Sequence, residues 1–419
     1  MKIAIVSKSG VTGGGASRIA SELAGLLGEQ GILAGHYLVH YPGALPADTH
    51  RMYGGNKVMR RSVYYAHRAF QKLGAPEAVP FELLSSVTRN KLLEADLIHV
   101  HDISDALSPL TLRWLAARKP LVWTLHDCSP FTAGCINPLS CEKFRSTAGC
   151  HACPQHGTWP FHGLFDMTPL LQKQKRKFAM HSTFTGIAPC EWMADMAGST
   201  SFFPRPRVIS NGINLSVFKP TLKAEARGAM GIPTGRLVLA VCCSDLKDER
   251  KGMRVALEVL RTVRHLNPLV LAIGKASAEV QAELDGLEVR FTGYIRDREE
   301  LARAYSAADA LVYCVLADNQ PLTVMEALAC GTPVLGFATG GIPELVSSGV
   351  DGYLVPTGDH IGLAKALPGI LEERATLALW SKRSADKAVE KFGYDRFLSA
   401  HVELYKELLG TVSTSKNIL

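Results

Sequence analysis

The 419-residue sequence has no apolar run approaching the roughly 20 residues that a bilayer-crossing helix needs, so no membrane-spanning helix is expected. It lacks the bias of fibrous or low-complexity chains, since 37 Gly and 22 Pro are ordinary usage at this length. Apolar residues and aromatics are not scarce. With 15 Phe, 11 Tyr, 5 Trp and a mean hydropathy of +0.08, a disordered chain is excluded. Met1-Lys2-Ile3-Ala4-Ile5-Val6-Ser7 enters polar, glycine-rich sequence too soon for a secretory signal, which points to a cytoplasmic protein. At about 100–200 residues per domain, the length suggests two or three domains, each with its own core.

Acidic residues are scarce in the first half only. Residues 1–205 carry 21 Lys and Arg against 14 Asp and Glu, whereas residues 206–419 carry 25 of each, so the whole net charge of +7 lies in the first half. A basic half attracts phosphorylated substrates, an anionic membrane surface or nucleic acid, or is simply solvated. No nucleic-acid-binding motif accompanies the charge, so nucleic acid is not expected as a partner. Met59 to Phe70 mixes Arg60, Arg61 and Arg68 with Tyr64, Tyr65 and Phe70 at helical spacing. Such a helix can lie on an anionic leaflet, or it can be a solvated helix packed by its aromatic residues.

The chain alternates short apolar strands with amphipathic helices. Lys2–Ser7 reads as a buried strand, Ser9–Gly15 as a glycine loop and Ala16–Leu27 as a helix closed by Gly31. Further strands are expected at 97–101, 121–125 and 185–188. In the second half strands are expected at 237–242, 269–273, 289–292, 310–314 and 333–336, with helices at 253–266, 298–307, 322–329 and 343–347. This alternation implies α/β architecture: two doubly wound Rossmann-like domains with parallel sheets covered on both faces, facing each other across a cleft. The expected division is 1–204, with a Cys-rich loop at 128–156; 205–385; and 386–419, a C-terminal helix crossing back to the first domain before a frayed tail from Gly410.

Asp318 to Leu335 is the most informative segment. It leaves a strand and opens a helix, with Pro321 in the first turn and Gly331 with Pro333 closing it. The free N–H groups near Pro321–Thr323 favour an anion such as a phosphate. Asp318 and Glu326, eight positions apart, can reach different hydroxyls of one ligand.

Ten cysteines in a leaderless chain do not suggest a disulfide framework. Cys128, Cys190, Cys242, Cys243, Cys314 and Cys330 lie in or beside apolar runs and read as small core residues. Cys135-x5-Cys141-x8-Cys150-x2-Cys153, with His151 and His156, can close a structural zinc site. Free thiols and disulfides are the alternatives.

The Asp318-x7-Glu326 pattern resembles the acidic-x7-acidic motif of retaining glycosyltransferases of family 4, which have the GT-B fold. Asn211-Gly212-Ile213-Asn214…Phe218-Lys219-Pro220, Lys251-Gly252, Thr339–Glu344, Asp351–Val355, Gly13–Gly15 and Thr124-Leu125-His126-Asp127 resemble further motifs of that family, in order, over roughly residues 2–405. Its exopolysaccharide enzymes, of colanic-acid type, are similar in carrying a Cys-rich loop after the His-Asp pair.

The resemblance implies hexosyl transfer from a nucleotide-diphosphate sugar, with metal-independent catalysis. Lys251 would meet the leaving diphosphate, Glu326 the ribose and Asp318 the sugar hydroxyls. His126 would hydrogen-bond the sugar. Gly13, Gly14, Gly15, Asp127, Arg250, Asn319, Gln320, Pro321, Leu322 and Thr323 would complete donor binding.

The acceptor implied is a glycan, lipid-diphosphate-linked, with peripheral contact at the inner face of a membrane. Three positions depart from the family pattern. Position 318 is Asp where Glu is commoner, and Asn214 stands in the usual Asp position. The usual Arg before the Lys is replaced by Asp245 or Leu246, leaving Arg250 or Lys247 to substitute. A GT-B phosphorylase or epimerase, and a non-catalytic zinc-stabilised binding protein, are the alternative readings.

Overall fold

The computed structural model describes residues 1–11, 13–40, 45–53, 57–104, 106–158, 161–245, 248–276 and 286–416. The chain forms two compact units, one of residues 1–210 with 398–419 and one of residues 211–397.

The first unit is built on a seven-stranded, all-parallel sheet: β1 (Ile3–Ser7), β2 (Leu33–Leu38), β3 (Thr49–Arg51), β4 (Leu97–Val100), β5 (Leu121–Thr124), β6 (Thr185–Ala188) and β7 (Arg207–Val208). Their order is β3-β2-β1-β4-β5-β6-β7. β1, β4 and β5 are buried at every residue, as expected of strands covered on both faces. The helix Gly15–Glu29 lays Ile19, Ala20, Leu23, Ala24 and Leu27 on the sheet. Trp123, Phe131, Phe144, Phe178 and Phe203 fill the other core.

The second unit carries a six-stranded parallel sheet of β8 (Val238–Asp245), β9 (Leu269–Lys275), β10 (Glu288–Gly293), β11 (Ala310–Tyr313), β12 (Val334–Phe337) and β13 (Gly352–Val355), in the order β10-β9-β8-β11-β12-β13. Each sheet has one place where its order reverses, between β1 and β4 and between β8 and β11. Connections leave those two neighbours in opposite directions, opening a crevice at their carboxyl ends.

The structure shifts several expected limits. β7 pairs with β6 beyond Pro206, so the first crossing falls at 210/211 rather than 204/205. The helix Tyr394–Lys416 carries the chain back, with the division at 397/398 rather than 385/386. The tail expected to fray from Gly410 is helical to Lys416. The 253–266 helix stops at Arg261 and tightens into a 3₁₀ turn at Arg264–Leu266. No described helix is long and apolar enough to cross a membrane.

Candidate active site

The second unit's crevice is closed by the approach of two loops. Lys251 follows β8 and Asp318 follows β11. The Lys251 ammonium donates to Asp318 Oδ2 at 2.7 Å, and Tyr313, the last residue of β11, donates its hydroxyl to the same oxygen at 3.0 Å. Asp318 Oδ1 accepts the Asn319 N–H at 3.0 Å. Burial works against the charge on Lys251. The Asp318 carboxylate and its hydrogen bond outweigh that, with Asp248 adding, so the ammonium is held above the ordinary lysine value.

Gly252 makes this approach possible. Its φ is +65°, and a Cβ there would sit 1.8 Å from the Cys314 carbonyl oxygen. The Leu316 N–H donates to Arg250 O at 2.9 Å, tying the two loops together. The Gly341 N–H donates to Asn319 O at 2.8 Å, drawing in the loop after β12.

The helix Leu322–Ala329 starts where these loops end, with Pro321 as its N-cap. The Pro321 carbonyl accepts from Val324 and Met325, so the amides of Leu322 and Thr323 stand at the helix's positive end. Glu326, one turn on, is only 2% exposed. It lies near enough to Cys242 and Tyr305 to help raise both, after burial, which is the main cause for each.

Two expected donor contacts are engaged within the unit. The Gln320 side-chain oxygen accepts the Asn211 N–H at 2.9 Å, and the Arg250 guanidinium pairs with Asp248 at 2.8 Å. Lys247, the other candidate for the missing arginine, lies outside the described residues.

The first unit gathers its expected residues at the corresponding crevice. The Gly13 N–H donates to Gly10 O at 2.9 Å, and a Cβ at Gly13 would meet Ser9 Oγ at 1.6 Å. Ser9 donates to Ser17 Oγ at 3.2 Å, and Ser17 donates to Asp102 Oδ2 at 2.9 Å. The glycine loop is thereby fastened to the residue that follows His101. Asp127 Oδ1 accepts the Ser129 N–H at 2.7 Å. Burial pushes the Asp127 carboxyl up to about 6, against that hydrogen bond and with nearby Asp102 adding to the rise. His126 is lowered to about 3, first by burial and then by His401. At neutral pH it is therefore an uncharged imidazole.

Three features here escaped sequence reasoning. Tyr313 is one. The Ser9–Ser17–Asp102 chain is another. The third is the set of histidines beside His126. Their available signal was His99-x-His101, two imidazoles on one face of an otherwise apolar strand.

The cysteine loop hangs on the helix Thr168–His181. Buried Lys175 pairs with buried Glu77 at 2.8 Å and donates to Ser129 O, and Gln172 Oε1 accepts the Cys150 N–H at 2.5 Å. Cys135, Cys150 and Cys153 share a small apolar cluster with Phe161 and Leu171. Cys135 Sγ donates to Asn137 O at 2.9 Å, and burial raises the thiols of Cys135 and Cys150. Among the described residues no group of three or more His, Cys, Asp or Glu is placed to hold a metal ion. A structural zinc on Cys135, Cys141, Cys150 and Cys153 is carried forward as a proposal for the chelation test below.

Residues 13–217 match the family model described as Glycosyltransferase Family 4, and residues 238–373 match that of Glycosyl transferases group 1. A D-inositol 3-phosphate glycosyltransferase of Saccharomonospora viridis is 29% identical over 220 residues, which cover 48% of this chain and 50% of that protein. The chain spans about half the length of the curated relatives it matches. A sucrose-phosphate synthase from Thermosynechococcus elongatus superposes with a TM-score of 0.72 at 20% identity, covering 98% of this chain and 99% of that one. Anabaena HepE in complex with UDP superposes at 0.67 and 18% identity, covering 97% and 100%. The fold is GT-B.

Proposed function

We propose that this chain, whose two parts match consecutive glycosyltransferase models, moves a hexose from a nucleotide-diphosphate sugar to a growing, lipid-linked cell-surface glycan with retention of configuration. The observation that carries this reading is the Lys251–Asp318 pair, set at the carboxyl ends of β8 and β11 beside the first turn of the helix Leu322–Ala329. As the diphosphate leaves, negative charge grows on it. An ammonium and two helix amides fixed in advance lower the barrier because they need no reorganisation when that charge appears. In this reading Asp318 exchanges its lysine for sugar hydroxyls, Glu326 takes the ribose, and neutral His126 hydrogen-bonds the sugar without attracting the leaving group.

A thermal-shift titration with UDP, GDP, ADP and dTDP tests the donor half. Stabilisation by one nucleotide, lost in Lys251→Ala, is expected. No stabilisation by any of them would favour a phosphorylase or a binding protein. HepE is solved with UDP, so UDP is tried first. Transfer is then compared between a lipid-diphosphate-linked glycan and D-inositol 3-phosphate, the compound in the relatives' name. The anomeric configuration of the product, read by NMR, decides retention.

The membrane contact of this reading rests on the helix Lys57–Leu73. Tyr64 and Tyr65 are exposed on it, beside exposed Arg61, Arg68 and Lys72. The Leu164 N–H donates to Lys72 O at 2.7 Å, which places exposed Leu164 and Phe165 at the end of the same helix. Basic side chains beside exposed aromatics suit an anionic leaflet. Flotation with anionic vesicles but not neutral ones, abolished in Arg61→Glu/Arg68→Glu, is expected. No flotation with either vesicle type would refute the contact, and equal flotation with both would refute the role of the basic side chains.

A further inference from the structure

The face of the first sheet above β1, β4 and β5 carries a lane of buried histidines, where a parallel sheet would ordinarily bury Val, Ile or Leu. His36 on β2 shares a hydrogen bond of 2.9 Å with Ser7 Oγ on β1. His99 on β4 contacts Thr124 Oγ1 at 2.7 Å through Nε2 and Tyr405 OH at 2.6 Å through Nδ1. The His101 ring lies on the His99 ring, 4.1 Å between centroids. His101 Nδ1 stands 3.0 Å from His126 Nε2, with the two rings 26° apart. His401 also stacks on His99, at 5.6 Å, so the returning C-terminal helix joins the lane.

One atom settles the direction of the His101–His126 bond. His101 is 1% exposed, and its Nε2 is buried with no hydrogen-bond partner. A buried orphan N–H is rarer than a buried orphan lone pair. The proton of His101 therefore sits on Nδ1, which does have a partner, and is donated to His126 Nε2. His126 must then accept at Nε2 and carry its own proton on Nδ1. This tautomer follows from the hydrogen-bond network, as such assignments do.

We infer that His101 is a positioning residue that holds His126 as the Nδ1–H tautomer, with the His99 ring and the C-terminal helix behind it. His101 does not touch substrate in this arrangement. It fixes which ring nitrogen of His126 carries the proton and which way the ring faces. A second-layer hydrogen bond commonly decides this for a functional histidine. The inference rests on the proposed transfer reaction only for its kinetic arm.

The test uses the full chain labelled with ¹⁵N-histidine. In the unsubstituted protein His126 Nε2 is expected to resonate as the unprotonated nitrogen and Nδ1 as the protonated one. His101→Phe keeps the ring on His99 but removes the N–H, and His101→Asn restores an amide N–H close to the Nδ1 position. Loss of the single tautomer in the Phe variant is expected, with a fall of about tenfold in turnover at nearly unchanged KM for the donor. The Asn variant should recover most of both.

A protonated Nε2 on His126 in the unsubstituted protein overturns the assignment. An unaltered tautomer or undiminished turnover in a folded Phe variant overturns the positioning role. If no nucleotide sugar is turned over at all, the transfer reading fails while the spectra still decide the tautomer.

Discussion

Replacing Lys251 by alanine separates a catalytic ammonium from a structural one. The side chains of Lys251 and Asp318 are 29% and 17% exposed, so the pair is mostly but not fully withdrawn from water. Stripping one partner from a fully buried pair costs about 3–5 kcal/mol, chiefly because the other charge is stranded. Asp318 is not stranded here, since it keeps the Tyr313 hydroxyl and the Asn319 N–H. Residual hydration discounts the cost further, leaving about 1–2 kcal/mol. That corresponds to a drop of about 2–8 °C in the Tm of a unit this size.

The effect on transfer should be much larger. Removing a preorganised charge from a leaving group costs about 10²–10³ in kcat. Nucleotide release at 25 °C, where the variant remains folded, is the assay. Lys251→Arg keeps the charge and should retain part of the rate. The folded lysine is held above its ordinary value of 10.5. Its contribution to stability is therefore complete below that value and is lost only as pH rises through the higher folded one. Between pH 6 and 9 any pH dependence of transfer must come from elsewhere. Undiminished transfer by Lys251→Ala would refute the mechanism. So would a loss of rate no larger than the loss of folded protein.

Glu326→Gln should keep the fold and raise the donor KM about tenfold, measured by initial rates, since a charged acceptor of a ribose hydroxyl becomes a neutral one. Acid should weaken the first unit. His36 and His126 are held at about 4 and about 3 by burial, and His99 and His101 also lie below 6.5. Their stabilisation is complete above 6.5 and is lost as pH falls towards the folded values, at up to about 1.4 kcal/mol per histidine per pH unit. Asp127 opposes this through its raised pKa, so Asp127→Asn should steepen the fall. Urea midpoints at pH 7.5, 6.0 and 5.0 check both, and a flat profile would contradict the buried lane. Gly13→Ala should cost about 1–2 kcal/mol by displacing Ser9 from Ser17, and Ser9→Gly, which removes both clashing Ser9 atoms, should relieve part of it, as thermal melts of the single and double variants would show. EDTA decides the cysteine loop: a marked fall in melting temperature is expected if Cys135, Cys141, Cys150 and Cys153 hold a structural zinc, and an unchanged one would leave them as free thiols.

The second unit's candidate site could be read from the sequence because its parts lie within one strand–loop–helix segment. Asp318, Pro321 and Glu326 sit at fixed offsets, and Pro321 with Gly331 marks the helix's two ends. The Lys251–Asp318 bond was not legible, because spacing says nothing about two loops 67 residues apart. Parallel pairing of β8 with β11 brings them together. β2 went unread because Gly35 and His36 interrupt its apolar run, and β7 because its two residues are exposed. The histidine lane has the same cause as the unread bond. Its members come from β2, β4, the turn after β5 and the C-terminal helix, and only the sheet order places them side by side.

That sheet order explains why chemistry of opposite character sits at equivalent places in the two units. Each crevice opens where the strand order reverses, so each offers loop ends and helix starts that need not fill a core. The second unit uses its crevice to keep a charge: Lys251 retains its proton because Asp318 faces it. The first unit uses its crevice to exclude one, because burial and four neighbouring imidazoles make a proton on His101 costly. Under the proposed reaction these roles are complementary. A cation belongs where the diphosphate leaves, whereas the sugar needs a donor that binds hydroxyls without competing for the departing anion. A neutral imidazole of fixed tautomer meets that need, and a protonated one would not. Introducing a permanent charge tests the division directly. His99→Lys should destabilise the first unit far more than His99→Gln, whereas Asp318→Asn should lower the pKa of Lys251 and leave the first unit's melting unaffected. If His99→Lys were tolerated as well as His99→Gln, the requirement for a neutral lane would be wrong.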